Sequence, residues 1–249
     1  MPGTSEGDEN LIEVKRLCKS FGPLKAVDDI SFSCQPGEVF GLLGENGAGK
    51  TTTLRMLATI LRPTSGTAIV AGHDLVQSPH MVRRQIGVLS TEPGLYDRLT
   101  VREMLRYYGE LHDMPLPEIS RRSEELIEML DMKAYADRRT GKLSRGMKQK
   151  AAIARALLHD PPVLLLDEPT TGLDVVSART VVNFIQQLRA SGKCIVFSSH
   201  IMGEVEKVCD RVGIVHRGRL VACGTLDEVT ETGQGELEDI FVRLVGAQE

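Results

Sequence analysis

Gly44-Glu45-Asn46-Gly47-Ala48-Gly49-Lys50-Thr51 is the stretch on which the fold turns. It fits the pattern G-x-x-x-x-G-K-[S/T], and its surroundings are those the pattern needs, a strand before it and a helix after it. Residues 38–43 (Glu-Val-Phe-Gly-Leu-Leu) read as a buried strand after a Pro36-Gly37 turn, and Leu54, Leu57 and Leu61 recur at helical spacing until Pro63. The chemistry explains the residue types. Glycines let backbone N–H groups turn inward around phosphates, and the positive helix end after Gly49 favours an anion. Lys50 brings a mobile charge to the β- and γ-phosphates, and the Thr51 hydroxyl completes a Mg²⁺ shell. Residues 44–52, Thr52 included, are therefore the expected nucleotide cradle.

Outward from this loop the chain alternates strands and helices. Residues 11–17 and 27–33 read as a hairpin turned at Phe21-Gly22-Pro23, and 67–70 and 86–89 as further strands. From about residue 93 the pattern turns helical. Val101, Met104, Leu105, Tyr108 and Leu111 form one face, and Ile119, Leu126, Ile127 and Leu130 form another after a loop with Pro115 and Pro117. Strand signals return at 163–166, 194–197 and 212–216, and residues 235–245 read as a short amphipathic helix. Strands alternating with helices predict a mostly parallel sheet covered on both faces. The expectation is an α/β protein, a P-loop NTPase with a RecA-like core (11–92 and 159–230), an N-terminal antiparallel β element, an inserted helical lobe (93–158), a C-terminal helix (235–245) and a flexible acidic tail (1–10).

Val163-Leu164-Leu165-Leu166-Asp167-Glu168-Pro169 delivers two carboxylates to the carboxyl end of an apolar strand, where ligands of such sheets bind. Alone, such a pair is as often a strand-end cap. Beside a phosphate loop it reads as Asp167 holding Mg²⁺ through water and Glu168 polarising the attacking water as general base.

Composition narrows the class. The chain has 249 residues, room for one large domain or for one domain with an inserted lobe, and 41% hydrophobic residues supply a core. Aromatics are only 4%, so Leu, Ile, Val, Met and Ala must carry the packing. A net charge of −4 gives no electrostatic footprint for nucleic acid. Five scattered cysteines form no C-x-x-C pair, which suits small buried apolar residues in a reducing cytosol better than zinc or disulfides. The first ten residues lack a basic start and an apolar stretch, so no secretory signal is expected. No apolar run approaches the roughly 18–20 residues that cross a bilayer.

Leu143-Ser144-Arg145-Gly146-Met147, ahead of a helix at 148–158, decides the family. It resembles the LSGGQ signature of ABC ATPases. Thr171-Gly172-Leu173-Asp174 looks like that family's D-loop and Ser198-Ser199-His200 like its switch histidine, in the family's order; the likeness covers residues 11–245. The resemblance implies an ATPase that uses ATP and Mg²⁺, with His200 on the γ-phosphate as a third catalytic group beside Lys50 and Glu168. It also implies that Ser144 and Gly146 act in trans, on the nucleotide of a second ATPase subunit, a homodimer being expected. Standing alone, Ser144 would be an ordinary helix N-cap. Phe21 aligns with the family's adenine-stacking aromatic, with packing inside the hairpin as the rival role. The implied partner is an integral membrane permease, with the chain cytoplasmic and peripheral at the inner face of the membrane and no nucleic acid involved.

Within the family, Gly94-Leu95-Tyr96-Asp97-Arg98-Leu99-Thr100, Ser144-Arg145-Gly146-Met147-Lys148-Gln149-Lys150 and Phe197-Ser198-Ser199-His200-Ile201-Met202 resemble the Nat-type sodium-extruding branch. This implies export of Na⁺; export of a drug, lipid or peptide is the alternative, and a non-transport role in DNA repair or translation a more distant one. Two positions depart from the family pattern. Thr91 and Glu92 stand where a Gln is usual, so that role has no assigned bearer. Arg145 replaces a glycine, either adding charge near the trans phosphate or, as expected here, pointing to solvent.

Overall fold

The computed structural model describes residues 10–231 and 237–246. The expected tail and the start of the expected C-terminal helix, residues 235 and 236, lie outside the described residues. In chain order the elements are β1 (Ile12–Phe21), β2 (Leu24–Cys34), β3 (Val39–Leu43), α1 (Lys50–Leu57), β4 (Ser65–Val70), β5 (His73–Asp74), α2 (Pro79–Gln85), β6 (Ile86–Leu89), α3 (Val101–Leu111), α4 (Leu116–Met129), α5 (Arg145–Leu157), β7 (Val163–Asp167), α6 (Val175–Ala190), β8 (Cys194–Ser199), α7 (Met202–Val208), β9 (Arg211–His216), β10 (Arg219–Thr225), α8 (Leu226–Glu231) and α9 (Leu237–Gly246).

Two sheets organise them. A four-stranded sheet runs β2-β1-β4-β5, with antiparallel pairing throughout, and a six-stranded sheet runs β10-β9-β3-β8-β7-β6. In the larger sheet every pair is parallel except β9 with its hairpin partner β10 at the edge. The fold is thus the α/β arrangement that the alternation of strands and helices predicts, with the antiparallel element formed by the N-terminal hairpin, β4 and β5.

Central strands are buried on both faces, so they read as continuous apolar runs and not as alternating ones. The period of two still sorts their side chains. Val39 and Leu43 of β3, Leu164 and Leu166 of β7, and Ile195 and Phe197 of β8 pack into one core with the buried faces of α3, α4, α5 and α6. Phe40 and Leu42, Val163 and Leu165, and Cys194 and Val196 face the other core, shared with α1 and the antiparallel sheet. Phe32 of β2 stacks on Phe40 at a centroid distance of 4.5 Å, joining the two sheets. The helices between β6 and β7 thus bury their apolar faces in the same core as one side of the parallel sheet.

Several boundaries differ from the expectation. α1 stops at Leu57, because Thr59 adopts φ 58° and the amides of Ile60 and Leu61 both turn back to the Arg55 carbonyl. Leu61 therefore lies beyond the helix, half-buried. Leu111 is exposed at 59%, outside the buried face of α3, and Pro117 sits in the first turn of α4, where its missing N–H costs nothing. Helix α5 begins at Arg145, three residues before the expected start, capped by the Ser144 hydroxyl on the Met147 amide. The short α2 and the edge strands β5 and β10 carry no decisive pattern in the sequence.

Candidate functional site

All the parallel strands end on the same side, and the loops that leave β3, β6, β7 and β8 meet there. That is where a doubly wound sheet binds ligands. A cleft of about 340 Å³ opens at this edge, lined by Glu45, Asn46, Gly47, Gly49, Lys50, Thr51 and Thr52 from the glycine loop, with Ala26, Thr91, Glu168, Thr171 and His200 around them. Gly44 and Ala48 lie on the inner side of the loop: the Gly44 carbonyl accepts from Lys50 Nζ at 2.5 Å, and the Ala48 amide donates to the Glu45 carbonyl.

The loop requires glycine for more than freedom of turning. Gly49 holds φ 112°, and a Cβ there would stand 2.6 Å from the carbonyl oxygen of Ala26 on β2. Lys50, first residue of α1, is 4% exposed and also reaches the Glu45 carbonyl at 3.0 Å. Burial pushes its amine pKa down, and the Glu168 carboxylate 3.5 Å away opposes that shift.

Asp167, at the end of β7, accepts from Thr51 Oγ1 at 3.0 Å, from Ser198 Oγ at 2.8 Å and from Thr91 Oγ1 at 3.3 Å. Hard oxygen donors converging beside a phosphate cradle suit Mg²⁺, which keeps water and substrate oxygens in its shell and needs few protein ligands. Among the described residues no group of three or more His, Cys, Asp or Glu could hold a metal.

Glu168 is the strained member. Its φ is 51°, a left-handed conformation that non-glycine residues adopt at a cost of about 1–3 kcal/mol. Its amide donates to Ser198 on β8, to Oγ at 3.1 Å and to the carbonyl at 3.2 Å, and its carboxylate accepts from Thr171 Oγ1 at 2.7 Å. His200 Nδ1 lies 2.6 Å from the same carboxylate. The arrangement supplies a cation and a glycine loop for polyphosphate, an oxygen cluster for a divalent ion, and a carboxylate beside them to take a proton from water.

The structure thus gathers Lys50, Thr51, Asp167, Glu168 and His200. It does not bring Phe21, Ser144 or Gly146 into the cleft lining. Phe21 ends β1 with its ring 46% exposed and Lys19 Nζ 5.2 Å from its centroid, so it does not pack inside the hairpin. Ser144 is exposed at the start of α5 and does not line the cleft of its own chain. Arg145 does not simply point to solvent: Nη2 donates to the Thr171 carbonyl at 2.6 Å. Thr91, Thr171 and Ser198 are the members of the network that residue type alone leaves unassigned. The nearest signal is their place, at the expected Gln position for Thr91, in the D-loop for Thr171 and two residues before His200 for Ser198.

Residues 27–171 match the family model described as "ABC transporter". The chain is 50% identical over 221 residues to the ABC transporter ATP-binding protein NatA of Bacillus subtilis (strain 168), covering 88% of this chain and 90% of that protein. It is 38% identical over 228 residues to the Nod factor export ATP-binding protein I of Ralstonia nicotianae, covering 92% of this chain and 71% of the relative. A solved ATP-binding subunit of an ABC transporter superposes with a TM-score of 0.87 at 32% identity, covering 94% of this chain and 99% of the other.

Proposed function

The chain belongs to the ABC transporter family of ATP-binding subunits, and we propose that it works in pairs as the ATPase that drives export through a separate membrane permease. Carrying this reading is the meeting of Lys50, Glu168 and His200 at one cleft, with Asp167 bonded to Thr51 of its lining, while Ser144, the helix cap of the signature, is exposed and outside that lining. The exposed signature serine is thus left to meet the nucleotide of another subunit.

In this mechanism the amides of residues 45–49 and the Lys50 ammonium bind the phosphates of ATP, and the exposed face of Phe21 stacks on adenine. Thr51 and Asp167 would hold Mg²⁺, which when bound neutralises phosphate charge. Glu168 takes a proton from the attacking water. His200 orients that carboxylate and reaches the γ-phosphate. Ser144 and Gly146 of a second copy close the site, so ATP favours the closed pair by its larger affinity for it. Hydrolysis removes the bridging phosphate, and the pair reopens.

No helix among the described residues is long and apolar enough to cross a membrane, and in this reading the cargo path belongs to the permease, with the chain seated on its cytoplasmic side. Na⁺ is the proposed cargo, on the likeness of residues 94–100, 144–150 and 197–202 to the sodium-extruding branch. Export as the direction has further support in the Nod factor export relative. The test is reconstitution with the membrane subunit in vesicles. ATP-driven outward movement of Na⁺ is expected, with a dimer trapped by ATP in the Glu168→Gln chain. Transport of a drug or lipid without Na⁺ would replace the cargo, and a chain that stays monomeric with ATP and its permease would remove the paired mechanism.

A further inference from the structure

Helix α5 offers two side-chain donors, one turn apart, to the segment that follows β7. Gln149, buried, donates Nε2 to the Pro169 carbonyl at 2.5 Å, and Arg145 donates Nη2 to the Thr171 carbonyl at 2.6 Å. The guanidinium lies against the backbone of Gly172: a Cβ there would fall 2.2 Å from the guanidinium carbon, and φ is 71°. The residue held this way, Thr171, donates its hydroxyl to Glu168 at 2.7 Å and its amide to the Glu168 carbonyl at 3.1 Å. One unbroken set of contacts therefore runs from the first residue of α5 to the strained carboxylate. Arg145 sits between Ser144 and Gly146, and Gly146 is itself pressed against α6, with a Cβ there 2.9 Å from Ser177 Oγ.

From this geometry we infer that Arg145 is a positioning residue for hydrolysis in its own chain: it fixes Thr171, and through Thr171 the Glu168 carboxylate. It does not serve as a charge on the partner's nucleotide. The inference deepens the proposed function and rests on Glu168 as the base and on Ser144 and Gly146 acting in trans. Its consequence is a coupling between the two sites of the pair. The helix start that meets a partner's nucleotide is tied to the carboxylate of its own site, so movement of one registers at the other. A glycine at position 145 has no side chain to make this tie.

The experiment measures steady-state ATP hydrolysis by Arg145→Ala and Arg145→Lys, and ATP-trapped dimer in the Glu168→Gln chain with and without Arg145→Ala. Expected for Arg145→Ala is a fall in kcat of about two- to tenfold, the rate equivalent of one lost hydrogen bond, with KM for ATP unchanged. Arg145→Lys, which keeps a donor, recovers part of the loss, and the trapped dimer persists without Arg145. An unchanged kcat overturns the inference. So does a raised KM with loss of the trapped dimer, which would place the guanidinium on the partner's nucleotide. A loss that follows a lowered melting temperature and is not recovered by Lys overturns it as well. Full-rate hydrolysis by Glu168→Gln with Arg145 intact would remove the base assignment itself and this inference with it.

Discussion

His200 Nδ1 stands 2.6 Å from Glu168 Oε2, an oxygen that also accepts from Thr171, while Lys50 Nζ is 3.5 Å from Oε1. The carboxylate is 10% exposed and braced on three sides, so its own chain sets its direction. Glu168→Gln keeps the shape and removes the basicity. Hydrolysis should fall by about 10²- to 10⁴-fold, the range for loss of a general base, with ATP affinity retained. Phosphate release and nucleotide titration measure the two, and undiminished turnover would take Glu168 out of the role.

Lys50 tests the other half of the cleft. Its ammonium is bonded to two loop carbonyls, at 2.5 and 3.0 Å, so the loop itself holds it in place. A charge-assisted hydrogen bond contributes about 1.5–3 kcal/mol, hence Lys50→Ala should weaken ATP binding by about tenfold or more. Isothermal titration with ATP reads it. Wild-type affinity together with wild-type turnover would contradict the phosphate-loop assignment.

Much of this was legible because the decisive chemistry is local. A glycine loop between strand and helix, or an acidic pair after an apolar strand, carries its geometry in a few adjacent residues, and the parallel sheet brings those strand ends together. What was not legible depends on distant backbone. Arg145 looks like a solvated arginine until α5 lays it on Thr171, a residue 26 positions on. Thr91 looks like a poor substitute for Gln until β6 sets its hydroxyl beside Asp167. The end of α1 at Leu57 is set by the turn at Thr59, although the leucine spacing runs on to Leu61.

Gly87 of β6 reports how the signature helix is seated. A Cβ there would stand 2.3 Å from the Ala156 carbonyl oxygen of α5 and 2.7 Å from Leu164 Cδ2. The first of these is backbone and cannot rotate away. Gly87→Ala should destabilise the protein by about 1–3 kcal/mol, the usual cost of overpacking, and should slow hydrolysis as well, since α5 carries Arg145 and β6 leads to Thr91. Urea unfolding checks the first and phosphate release the second. A variant as stable as the parent would mean that α5 is not packed this closely on the strand.

A pH effect comes from the junction of α3, α5 and β6. The rings of His112 and His159 stack with centroids 3.8 Å apart and planes 12° from parallel. His159 Nε2 meets the Ile86 carbonyl at 3.1 Å, which makes it the protonated nitrogen, and Nδ1 is buried with no hydrogen-bond partner among the described residues. A second proton would thus sit on a buried atom without an acceptor. Burial first, then the neighbouring His112, pushes the His159 pKa down to about 4, with the Ile86 carbonyl and Asp160 opposing and Lys193 adding to it. Burial, then Arg84, lowers His112 too, and Asp113 opposes. The unfolded histidine titrates near 6.5, so as pH falls from about 6.5 towards about 4 the unfolded chain takes up a proton that the folded chain refuses. Stability is full above that window and is lost as pH falls through it, by about 3 kcal/mol for His159. His159→Gln keeps a donor for Ile86 and cannot titrate. Its urea-unfolding free energy should therefore drop less between about pH 7 and about pH 4.5 than the parent's, by about 2 kcal/mol. Carboxylates contribute alike in both proteins, so identical drops would show that His159 takes up its proton as readily folded as unfolded.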